Sequence, residues 1–116
     1  MMKATDLGTL KVHDEVIIAL VEEAVLATPG VAHMISRGVR DELNQWLKKD
    51  GYGRGVTVTA EPPGFSIDLF IAVYYGERLP ELGRRIVDRV YQAVKAAIEV
   101  GPSNITVHIE GLETLE

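Results

Sequence analysis

Apolar residues recur at two spacings along this chain, and the spacing switches wherever glycine and proline cluster. In HDEVIIALVEEAVLAT (13–28) a rotation of 100° per residue gathers Val16, Ile17, Leu20, Val21, Ala24 and Ala27 on one side, which predicts an amphipathic helix. Asp14 and Glu15 place negative charge in its first turn, against the positive end of the helix dipole, and Pro29-Gly30 ends it. Ile18 and Val25 lie outside that stripe. They widen the apolar surface beyond what one core-facing row needs, so this helix is expected to touch a second layer or a second subunit. VRDELNQWLKKD (39–50) sets Val39, Leu43, Trp46 and Leu47 on one face and charge on the other, a short amphipathic helix. GYGRG (51–55) reads as a flexible connector.

The period then drops to two. VTVTAE (56–61) alternates as a strand, Pro62-Pro63-Gly64 turns the chain, and FSIDLFIAVYY (65–75) is the longest strand. Phe65, Ile67, Leu69, Ile71 and Val73 share one face of it, and Ser66, Asp68, Phe70, Ala72 and Tyr74 the other. The first set reads as the core face; the mixed second set fits a sheet face open to water. From about Pro80 to Val100 the helical period returns, with Leu79, Gly83, Ile86, Val90, Val94 and Ala97 as the expected buried stripe. Gly101-Pro102 stops it, and ITVHIEGL (105–112) is a final strand. LGTLKV (7–12) and GVAHMIS (30–36) read as short strands, the former at an edge, after an irregular start over residues 1–6. These elements predict one α+β domain spanning residues 1–116. It is a two-layer sandwich, with a mixed or antiparallel sheet of about four strands, two main helices on one face and a short extra helix. Residues 56–61 and 65–75 are expected to pair as an antiparallel hairpin.

Composition narrows the function classes. A formal net charge of −5 sets a repulsive field against a polyanion and argues against nucleic acid as a partner. With no cysteine, thiol nucleophiles, disulfides and cysteine-ligated metals are excluded. MMKATDLGTL lacks a signal-peptide apolar segment. No apolar run approaches the roughly 20 residues that span a bilayer, so direct membrane insertion is not expected.

Three arrangements invite chemistry. The strand-glycine-helix corner YYGERLPELGRR (74–85) has the outline of a phosphate cradle, but its turn before the helix offers a single glycine, Gly76, and Glu77 and Glu81 flank it. It reads as a packed corner. His13, His33 and His108 show no metal-ligand spacing, so no metal or other cofactor is expected. If the long and final strands are neighbours, Asp68 and His108 share the open face with Thr57 and Thr59. That set can be drawn as a small-molecule-binding or hydrolytic site, or as cross-strand polar pairs on a wet face. Trp46 and Leu47, with Ile18 and Val25, make up the candidate partner surface.

LGTLKVHDEVIIALVEEAVLATPGVAHM, then GVTVTAE and GFSIDLFIAVYYGERLPELGRRIVDRVYQAVKAAI, and finally NITVHIEGL, resemble the alkaline-shock family of bacterial envelope stress proteins. The resemblance covers most of the chain and rests on packing motifs. It implies a small cytoplasmic α+β protein without enzymatic activity or cofactor. Such a protein self-associates, sits peripherally at the inner face of the membrane through an anchor protein, and serves envelope homeostasis. This sequence departs from the family at His13, a poorer N-cap than the usual serine, and at SRGVRDELNQWLKKDGYGRG (36–55), where relatives carry a lysine-rich loop. A small nucleic-acid-binding domain and the Asp68/His108 site remain the alternatives.

Overall fold

The computed structural model describes residues 2–5, 8–36 and 55–114. The elements are β1 (Met2–Thr5), β2 (Gly8–Lys11), α1 (Asp14–Leu26), β3 (Val31–Met34), β4 (Val56–Glu61), β5 (Gly64–Tyr74), α2 (Leu79–Ile98) and β6 (Asn104–Glu113). The expected helix at 39–50, with Trp46 and Leu47, falls outside the described residues.

β5 is the axis of a four-stranded mixed sheet. β4 runs antiparallel to its first half, with Val58 opposite Ile67 and Glu61 opposite Gly64, which is the expected hairpin. β3 runs antiparallel to its second half, with Met34 opposite Ile71. β6 lies parallel to β5 from Ser66 to Tyr74, with a register shift after Ile71. A strand has two edges, and β6 takes one of them. β4 and β3 must therefore share the other, end to end. Phe70 marks the joint: its N–H donates to the Gly55 carbonyl at 2.9 Å and its carbonyl accepts from Ile35 N–H at 2.7 Å. The chain thus leaves the sheet after Ile35 and re-enters it at Gly55, the same point. Gly55 has φ +82°, and a Cβ there would stand 3.0 Å from the Ile35 and Phe70 carbonyl oxygens. Only glycine suits that joint.

Both helices pack on the face presented by Phe65, Ile67, Leu69, Ile71 and Val73, all of which are buried as the alternation predicts. The sequence placed the helix stripes less well. On α2 the buried row is Leu82, Ile86, Val90, Val94 and Ile98; Leu79 is 40% exposed and Ala97 is exposed. Steps of four produce a row inclined to the helix axis, and such a row follows a twisted sheet. A Cβ at Gly83 would meet nothing within 4 Å, so the expected tight contact there is absent. On α1 the buried residues are Ile17, Ile18, Val21 and Val25, while Val16 and Leu26 face outward. α1 contacts α2 on one side and β3 and β4 on another, so two rows are covered. Residues 2–5 are not an irregular start: β1 pairs antiparallel with β2 as a separate two-stranded sheet, and 8–11 is not an edge of the main one.

Helix ends lock the helices together. No basic residue stands in the last turn of α1. Instead α2 supplies the charge: Arg85 donates to the Pro29 carbonyl at 3.1 Å and Arg89 to the Ala27 carbonyl at 3.5 Å. Cations are favoured there by the negative end of the dipole. The Thr28 hydroxyl donates back to the Ala24 carbonyl at 2.9 Å and is buried with it. Arg85 is therefore explained by the α1 terminus, and Glu81 lies 3.6 Å from Arg78.

Candidate interaction surface

The sheet face away from the helices carries two histidine–carboxylate pairs. His108 Nε2 lies 3.0 Å from Asp68 Oδ1, the neighbouring-strand arrangement foreseen from the alternation. Its ring stacks on Phe70 with centroids 4.4 Å apart and planes 8° from parallel. Asp68 orients the imidazole from its edge and Phe70 supports it from its plane. The register, however, sets Asp68 between Thr57 on β4 and Thr106 on β6, with His108 one pair further along. A hydroxyl-activating relay needs the base between acid and nucleophile. Here the acid stands beside the hydroxyl. Thr59, opposite Ser66, is further still from His108.

The second pair was not visible in the sequence. His33 on β3 and Glu113 on β6 reach across β5, where Ala72 opposes Gly111, and meet at 3.0 Å. The bond depends on β6 continuing to Glu113 and on a bulge in β3, neither of which periodicity specifies. His33 Nδ1 also lies 3.1 Å from the Met34 carbonyl. The hydrogen bond to Glu113, then that to Met34, raises the imidazole pKa above 6.5. Both ring nitrogens face acceptors, which only the doubly protonated ring can satisfy. Among the described residues no three histidine, aspartate or glutamate side chains converge as a metal site would require.

Of the partner surface expected from the sequence, Ile18 is 5% exposed and Val25 fully buried, both in the core cluster. The second row of α1 is consumed by α2 and the sheet, so these two residues are not on offer. Among the described residues the exposed large apolar side chains are instead Val16, Leu26, Tyr75, Leu79, Val100 and Leu112. A concavity lies on the helix side of β6. It is a groove of about 650 Å³ lined by Leu79, Pro80, Gly83, Arg84, Val87, Asp88 and Tyr91 of α2 and by Val107 and Ile109 of β6. Gly83 lines it without adding a side chain over the opening.

The family model that matches residues 2–114 is that of the alkaline-shock proteins, described as having a cell envelope-related function. This chain belongs to that family. Among similar proteins, the uncharacterized YloU of Bacillus subtilis (strain 168) is 27% identical over 109 residues, which is 93% of this chain and 91% of YloU. YqhY of the same organism is 26% identical, over 94% of this chain and 80% of its own. An uncharacterized Streptococcus pyogenes serotype M6 protein is 24% identical over 93% and 90%. Among solved structures, a zinc form of a MamM CTD variant superposes with a TM-score of 0.53 at 20% identity, covering 88% of this chain and 89% of that one. A second MamM variant gives 0.51 at 19% identity, covering 89% of each. At that identity the likeness concerns the fold. Among the described residues no helix is long and apolar enough to cross a membrane.

Proposed function

We propose that this chain is a non-enzymatic interaction module of the cell envelope. It is cytoplasmic, and it is held peripherally at the inner face of the membrane by an anchor protein and by contact with further copies of itself. The observation that carries the reading is the α2–β6 groove: a nearly all-apolar opening on a chain of an envelope-related family. An apolar opening rimmed by charged side chains is a surface on which a partner can bury apolar area. The hydrolytic alternative loses support because Asp68 rather than His108 neighbours Thr57. The nucleic-acid alternative loses support from the charge of −5.

Fractionation of cells tests the reading. The chain is expected to sediment with membranes and to be released by high salt or alkaline washing without detergent, as a peripheral protein is. A chain found only in the supernatant, and monomeric there, would refute it.

A further inference from the structure

We infer that the α2–β6 groove and the free edge of β6 are where two copies of this chain meet, about a two-fold axis that joins their sheets. The inference rests on the interaction-module reading and names its surface. β6 is hydrogen-bonded to β5 along one edge, and among the described residues no strand pairs with the other. An open edge is a template for a further strand unless lysine, proline or a bulge blunts it. NITVHIEGLE (104–113) holds no lysine or proline, and its pairing with β5 is regular from Asn104 to Ile109.

That regular stretch is self-complementary. Antiparallel pairing centred on Val107 sets Val107 against its own copy and Ile105 against Ile109 on the helix side. On the open side it sets Thr106 against His108. Apolar residues then meet apolar ones, and no like charges stand opposed. The helix side repeats the symmetry. Arg84 and Asp88 are the two charged residues lining the groove, one turn apart on α2. A two-fold axis between them brings Arg84 of one copy to Asp88 of the other, twice over. Val87 and Tyr91 of the two copies close over the joined strands and remove Val107 and Ile109 from water. A foreign apolar segment would fill the groove equally well but would leave Arg84 and Asp88 only each other, four residues apart on one helix. This reciprocal charge pattern favours a second copy.

Light scattering after size exclusion, over a concentration series of the full chain, tests the surface. The wild type is expected to be dimeric. Val87→Glu is expected to weaken dimerisation at least about tenfold while leaving circular dichroism and cooperative melting unchanged. Arg84→Asp and Asp88→Arg each weaken it, and mixing the two single variants restores a dimer, a rescue that a pair within one helix would not give. A wild-type dimer indifferent to Val87→Glu, with no rescue on mixing, overturns this surface but leaves self-association standing. A monomer at every concentration overturns both. Hydrogen exchange of α2 and β6 distinguishes the other occupant. Protection that appears only with added membranes, on a monomeric chain, assigns the groove to an anchor instead.

Discussion

His33 has an acceptor at each ring nitrogen, Glu113 at 3.0 Å and the Met34 carbonyl at 3.1 Å. Its folded pKa is raised, so the stabilisation is complete below the unfolded value of 6.5 and fades as pH rises through the folded one. The side chain is 53% exposed, so solvent screening holds the gain to less than about 1 kcal/mol. An NMR titration should find His33 above 6.5, and Glu113→Gln should move it back down; an unmoved titration would show the pair is not formed. Gly55 is the opposite kind of residue, defined by what it lacks. Gly55→Ala must hold φ +82° with its Cβ 3.0 Å from two carbonyl oxygens, and is expected to cost more than about 1 kcal/mol in urea unfolding. Neither role was legible in the sequence. GYGRG looks like any flexible joint, and His33 pairs with a residue 80 positions away.

The elements themselves were legible where burial has one direction. β5 must hide one face, so alternation fixed its register and, with Pro62-Pro63-Gly64, its hairpin with β4. Helices were harder because the periodic signal is broad, and neighbouring rows differ by a single residue. The consequence is testable on α2. Leu82→Ala removes a fully buried side chain and should cost about 2–5 kcal/mol. Gly83→Ala, one residue on, meets open space and should stabilise the helix by up to about 1 kcal/mol. Equal effects at the two sites would place the buried row wrongly. On α1, Ile18→Glu buries a charge in the core and should abolish cooperative unfolding. It is therefore unsuited as a probe of a surface contact.

For the whole molecule, charge and fold act together. A net charge of −5, and an open sheet face that carries Asp68 and Glu113 among the described residues, disfavour a phosphate backbone. Fluorescence anisotropy with single-stranded RNA or DNA at low salt should show no micromolar binding. Tight, salt-sensitive binding would return nucleic acid to first place. What the sheet offers, among the described residues, is a strand edge that no strand pairs, beside an apolar groove. Family membership sets the cellular context as the envelope, and the geometry indicates which surface is free to act there.

The sequence by itself determined the α+β class, the strand alternation, the β4–β5 hairpin and the family. Each follows from local periodicity, turn chemistry or a run of packing residues, which are properties of contiguous segments. Tertiary structure alone decided which helix row is buried, that β3 and β4 share one edge of β5, that β6 lies beside β5 and so brings His108 to Asp68, that Ile18 and Val25 belong to the core, and that among the described residues no strand pairs with the outer edge of β6. Those outcomes depend on which surfaces other segments cover. Coverage is a property of the assembled layers, so a single segment does not encode it.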